Sequence, residues 1–155
     1  MRIAMPVVIF AVFLFSLPAA PYAATFYVSP LGNDLVSGSS AAPWKTLQHA
    51  ADAVNAGDTV TIGSGNYAGF RAATGGSSGL PITFRADTGA LVVINSASPE
   101  GIKSSIIEIE GYDWWVLDGL EVTGADRNAG IDIRVADHIT VRDRKSTRLN
   151  SSHRL

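Results

Sequence analysis

Three short stretches of this chain alternate apolar and polar residues and can be laid over one another: Ile82-Thr83-Phe84-Arg85, Ile107-Glu108-Ile109-Glu110 and Ile131-Asp132-Ile133-Arg134, offset by 25 and then 24 residues. Alternation with period two marks a strand that buries one face. A second set, Val92 to Asn95, Trp115 to Asp118 and Ile139 to Arg142, follows the first at a distance of eight to ten residues. A repeat in the low twenties with two or three short strands per unit cannot bury its apolar face alone, and so predicts a solenoid of stacked coils. Stacking puts equivalent positions about 4.8 Å apart, the spacing of neighbouring strands. The expected inward columns are Val60, Ile82, Ile107 and Ile131; Ile62, Phe84, Ile109 and Ile133; and Ile94, Leu117 and Val141. Two outward columns are expected beside them, Gly63, Arg85, Glu110 and Arg134, and Thr61, Thr83, Glu108 and Asp132.

Upstream the period changes. Thr25 to Ser29 has strand character and Pro30-Leu31-Gly32-Asn33-Asp34 has turn residues. From Trp44 to Ala56, Leu47, Ala50, Ala51 and Val54 fall on one helical face, with Lys45, Gln48, Asp52 and Asn55 on the other, and Gly57 follows as a stop. A stack of strands leaves unpaired backbone groups at its end. A helix with one apolar face, placed just before the first coil, is suited to cover that end. Residues 25–56 are therefore expected to be an N-terminal strand and capping helix, and residues 57–143 three to four coils.

Both ends of the chain differ in composition from this body. Residues 1–24 carry Arg2, an apolar run from Ile3 to Leu17 and a small-residue end, Pro18 to Ala24, the layout of a secretory signal peptide. The run is shorter than the ~20 residues that span a bilayer, so no membrane span is expected once it is removed. Residues 25–143 hold all 14 acidic residues and seven basic ones, a net charge of −7, whereas 144–155 carry four basic residues and no acid. That tail lacks alternation, and Asp143 through His153 resembles a translated sequencing adapter, so residues 144–155 are expected to be non-native or disordered and the chain an amino-terminal fragment. A basic nucleic-acid or membrane tail is the competing reading, and no nucleic-acid partner is expected. The chain has no cysteine, so stability rests on packing and backbone hydrogen bonds even in an oxidising compartment.

The run FYVSPLGNDLVSGSSAAPWKTLQHAADAVNAGDTVTIGSGNY resembles the entry segment of secreted right-handed parallel β-helix proteins of the pectate-lyase-like superfamily. The match covers about forty residues, with the YVSP-x-G-x-D turn, P-W-K-T-L and GDTV-x-I-x-x-G-x-Y in order. The resemblance implies an all-β fold, a right-handed parallel β-helix (solenoid) with an N-terminal capping α-helix. It also implies a secreted, periplasmic or cell-surface monomer whose parent acts on a polysaccharide or cell-surface glycan as a lyase or glycoside hydrolase. It assigns no catalytic residue, because the groove of such proteins comes from coils further along, and the fragment itself is expected to be inactive. A non-catalytic adhesin or stalk and a carbohydrate-binding module are the alternatives.

Candidate chemistry is sparse. Glu108 and Asp132 are expected side by side on neighbouring strands, where like charges destabilise a sheet unless they splay into water or hold a cation such as calcium. No other cofactor is indicated. Of the two tryptophans at 114 and 115, alternation sends one inward. Trp115 belongs with Val92 and Ile139 in the core, which leaves Trp114 at the surface, where an indole face can hold a sugar ring. Asp113, Asp118, Asp126 and Asp137 cluster at predicted turns, and Lys103 and Arg134 are candidates for the base or the charge-stabilising cation of a lyase, with a solvated surface role as the alternative. His49, His138 and His153 form no pair at metal-ligand spacing.

Overall fold

The structure, a computed structural model, describes residues 23–97, 99, 105–124 and 130–142. The leader before Ala23, the tail at 144–155, Lys103 and Asp126 lie outside the described residues. The strands are β1 Thr25–Val28, β2 Thr59–Ile62, β3 Gly65–Ala68, β4 Phe70–Arg71, β5 Ile82–Ala86, β6 Val92–Ser96, β7 Ile107–Glu110, β8 Trp115–Asp118, β9 Leu120–Val122, β10 Ile131–Arg134 and β11 Thr140–Arg142; the helix α1 is Leu47–Ala53. Every named ladder is parallel. They form three sheets: sheet 1 in the order β1-β2-β5-β8-β11, sheet 2 in the order β10-β7-β4, and sheet 3 in the order β3-β6-β9. The chain visits the three faces in turn and returns one strand higher, the winding of a right-handed parallel β-helix.

The expected register holds from one coil to the next in two places and fails in three. Ile131, Asp132, Ile133 and Arg134 stand over Ile107, Glu108, Ile109 and Glu110, and Val141 over Leu117, as the offset of 24 requires. Ile82, however, pairs with Trp115 and Phe84 with Leu117, so β5 lies in sheet 1 and not over β7. Val60 likewise stands under Phe84 rather than Ile82, and Ile94 pairs with Val122 in sheet 3 rather than with Leu117. The cause is the length of the corners. β2 returns to its own face at β5 after 24 residues, but the loop after β6 lengthens the next circuit to 33.

Most of the residues expected to face inward are buried, and of those expected outward Thr61 and Glu108 are buried as well. Val60, Ile82, Phe84, Ile94, Ile107, Ile109 and Trp115 are completely buried. Phe70, Phe84 and Trp115 bring their rings within 4.8 to 5.8 Å of one another in the coil interior, and the indole Nε1–H of Trp115 donates to the Thr74 carbonyl at 3.0 Å. Each such side chain contributes roughly 1.5–3 kcal/mol against exposure.

α1 packs on β1, β3 and β4, the first strand of each sheet, and so closes one end of the stack. It is shorter than the expected Trp44 to Ala56. Trp44 bridges to Val28, and Asp34 accepts the N–H groups of Lys45 and Thr46 at 2.7 and 3.0 Å, which holds them outside the helix. Thr46 is the N-cap, its hydroxyl accepting from the His49 N–H. At the other end Val54 is extended, and the Asp58 carboxylate accepts from Asn55 at 2.8 Å and from Ala24 at 2.8 Å, joining helix exit to chain entry. Thr25–Val28 belongs to the stack itself, since it pairs with β2 as the first rung of sheet 1. Among the described residues no helix is long and apolar enough to cross a membrane.

Candidate functional site

The outward side chains of sheets 1 and 2 make two charge ladders. On sheet 1 the register places Tyr27, Thr61, Arg85, Asp118 and Arg142 in one line. On sheet 2 it places Arg71 beside Glu108 and Glu108 beside Asp132, with Glu110 beside Arg134. The expected ladder of Arg85, Glu110 and Arg134 is thus split between two sheets, because β5 and β7 lie on different faces. For the same reason Thr61 and Thr83 do not stack with Glu108 and Asp132.

Glu108 and Asp132 are adjacent as expected, and the protein handles the conflict with a cation of its own. Burial, reinforced by the charges of Glu108 and Glu110, pushes the Asp132 carboxyl above its usual value, against a hydrogen bond from Ser105. The Arg134 guanidinium takes both carboxylate oxygens, Nε to Oδ1 at 2.9 Å and Nη2 in closer contact with Oδ2. Calcium takes about six to eight oxygen ligands. Among the described residues no group of three or more His, Cys, Asp or Glu side chains is arranged to hold a metal ion.

Gln48, expected on the polar helix face, is buried and joins the cap to sheet 2. Its amide donates to the Arg71 carbonyl at 3.1 Å and accepts from the Arg71 N–H at 2.8 Å. These two bonds satisfy the outer edge of β4, the end strand of sheet 2, which has no strand on that side. Between α1 and β3 lies a depression of about 200 Å³ whose lining includes Lys45, Leu47, Asn66 and Tyr67.

The aromatic site lies on the corner leading from sheet 2 into sheet 1. Trp115 enters the core, paired with Ile82 rather than Val92, and Trp114 is half-buried at the turn, as the alternation demands. Trp114 is not alone. His138 stacks on it, ring centroids 3.8 Å apart and planes 7° from parallel. The rest of the turn repeats too: the Asp137 N–H donates to the Asp113 carboxylate at 2.7 Å, and the Trp114 N–H donates to the Asp137 carbonyl at 3.2 Å. Both ring-bearing residues have left-handed backbones, φ 61 at Trp114 and φ 57 at His138. For residues other than glycine that conformation costs of order 1–3 kcal/mol each. The signal for His138 was in the sequence, since Asp137-His138 follows Asp113-Trp114 at the same offset as β10 follows β7.

Comparison with known proteins agrees with the winding. Residues 26–152 match the family described as the Pel9A-like right-handed β-helix region. A pectate lyase, PEL9 of Emericella nidulans, is 30% identical over 117 residues, 66% of this chain and 28% of that protein. The uncharacterised protein YwoF of Bacillus subtilis is 32% identical over 127 residues, 76% of this chain and 27% of that protein. The crystal structure of pectate lyase Pel9A superposes with a TM-score of 0.64 at 24% identity, over 78% of this chain and 32% of that one. A rhamnogalacturonan lyase gives a TM-score of 0.52 at 23% identity, over 63% of this chain and 28% of that one. At these identities the two structures share the fold. The chain spans under a third of the length of each of these relatives.

Proposed function

Because the chain belongs to the family of Pel9A-like right-handed β-helix proteins, we propose that it supplies the cap and first coils of an exported protein that binds or cleaves an acidic polysaccharide by a lyase reaction. The family match over 26–152 carries this reading. Support comes from the curated relative named as a pectate lyase and from the leader pattern at 1–24, which accords with export. In such a reaction a base removes the proton on the carbon beside the uronate carboxylate. The electrons of that C–H bond form a C=C bond as the neighbouring C–O bond breaks, and the leaving oxygen takes up a proton. A cation or guanidinium must stabilise the charge that develops on the carboxylate. On sheet 2 the register sets Arg71, Glu108 and Asp132 in line on successive coils.

The test is to incubate polygalacturonate with protein expressed from the complete gene and follow the ultraviolet absorbance of unsaturated uronate products, with and without a chelator. Product release is the expected result. Absence of both product and binding to polygalacturonate would overturn the reading.

A further inference from the structure

Asp58 is only 5% exposed, yet among the described residues no Lys, Arg or His pairs with it. Its Oδ2 accepts from the Asn55 N–H and its Oδ1 from the Ala24 N–H, both at 2.8 Å. Its backbone is fixed as well, the N–H donating to the Asn55 carbonyl at 3.0 Å and the carbonyl accepting from the Thr83 N–H at 2.9 Å, so the carboxylate stays at the helix exit. A buried carboxylate is costly unless it is paired, and two neutral amides give this one hydrogen bonds but no countercharge.

Ala24 is where hydrogen bonding begins among the described residues. Its carbonyl accepts from the Thr59 N–H at 2.8 Å, which extends the ladder of β1 with β2 by one step. Ala23 is exposed and makes no such bond. The small-residue end of the leader offers cuts after Ala20, Ala23 or Ala24, and none of these has the Ala-x-Ala pattern, since Pro18, Pro21 and Tyr22 stand at its first position. The chain's local pattern therefore does not choose among them.

We propose that the export leader is removed between Ala23 and Ala24, and that the new α-ammonium group of Ala24 is the cation that Asp58 lacks. The proposal rests on the export reading above, but it concerns maturation rather than catalysis. Hydrolysis breaks the Ala23–Ala24 C–N bond; water gives its hydroxyl to the Ala23 carbonyl carbon and a proton to the Ala24 nitrogen, which as an α-amine takes up a further proton below a pKa of about 8. The amide hydrogen bond at 2.8 Å becomes a charge-assisted one. A cut after Ala20 leaves the Ala24 nitrogen an uncharged amide, and a cut after Ala24 removes both its donor and its carbonyl.

The full chain would be expressed with its own leader in a secreting bacterial host, and the first residue of the product read by intact mass and N-terminal sequencing. Ala24 is the expected first residue; any other, or a chain that keeps the leader, overturns the proposal. Chains made to begin at Ala23, Ala24 and Thr25, each with a free amine, would also be compared by thermal melting at about pH 6, where an α-amine is charged. The Ala24 chain should melt about 3 °C or more above the Ala23 chain, with the Thr25 chain lowest, and Asp58→Asn should erase the gap between the first two. Equal melting of the unsubstituted Ala23 and Ala24 chains would show that an amide serves Asp58 as well as an ammonium does, and would sink the pairing. No uronate release from a product that begins at Ala24 removes the lyase reading alone, whereas a cut elsewhere in a protein that releases uronate removes this one alone.

Discussion

The two ends of the coil stack present the same kind of residue and bury it differently. Val60 and Ile62 in β2 are completely buried beneath β1 and the capping helix, whereas Ile131, Ile133 and Val141, the inward residues of the last described coil, are only partly buried. Ile133 and Ile109 are register partners on the same face, yet Ile109 lies within the stack and Ile133 on its last described rung. In a solenoid the burial of a side chain is supplied by the coil above it as much as by its own coil. Apolar pattern therefore measures which way a residue points, and stacking decides what that direction contributes.

The sharpest way to break this comparison is a pair of charge insertions. Ile109→Asp places an unpaired carboxylate at a fully buried position and should cost more than about 4 kcal/mol, enough to abolish cooperative unfolding in urea. Ile133→Asp, one rung away, should cost less than half as much. Equal effects would show that the last coil is as well packed as the one before it.

At the capped end the corresponding test is Gln48→Ala. Loss of its two bonds to the Arg71 backbone should destabilise the protein by about 1–3 kcal/mol and speed hydrogen exchange at the Arg71 amide, because a buried donor and acceptor lose their partner. An unchanged exchange rate would mean that the helix rests on the stack through apolar contact alone.

The smallest effect is a difference in pH dependence between the ends. Burial would raise Asp34, but the Thr46 and Lys45 backbone donors, the Thr46 hydroxyl and His49 together hold it below the ordinary value of 3.8. Its ionised form favours folding, so the contribution is present above 3.8 and is lost as pH falls towards the lowered value. Asp132 is raised above 3.8. Its protonated form favours folding, so that contribution is full below 3.8 and is lost as pH rises through the raised value. Urea midpoints measured from acid to neutral pH should show a loss in Asp34→Asn that shrinks in acid. In Asp132→Asn the fall in stability just above 3.8 should flatten. A shift of the same sign in both variants would contradict the contrast.

Much of the candidate site was legible from local pattern. The alternation at Trp114-Trp115 sent the correct indole inward, and the offset of 24 put Asp132 over Glu108. What escaped was anything that depended on which neighbour arrives from elsewhere. Gln48 occupies a polar position on the helical wheel, yet the short strand β4 comes to meet it. Arg134 turns back from two residues on to meet Asp132, a contact that the spacing of the acids does not reveal.

By itself the sequence determined that the chain winds into a capped β-helix, which residues face the interior, and where the helix sits, because strand period, helical period and turn chemistry are local properties. Only the tertiary structure decided which strands share a sheet. All three faces of a coil carry the same period-two pattern, so an offset of 25 from Ile82 to Ile107 looks like one rung when it is a step between faces. The length of each corner, which carries no periodic signal, determines the face to which the next strand returns.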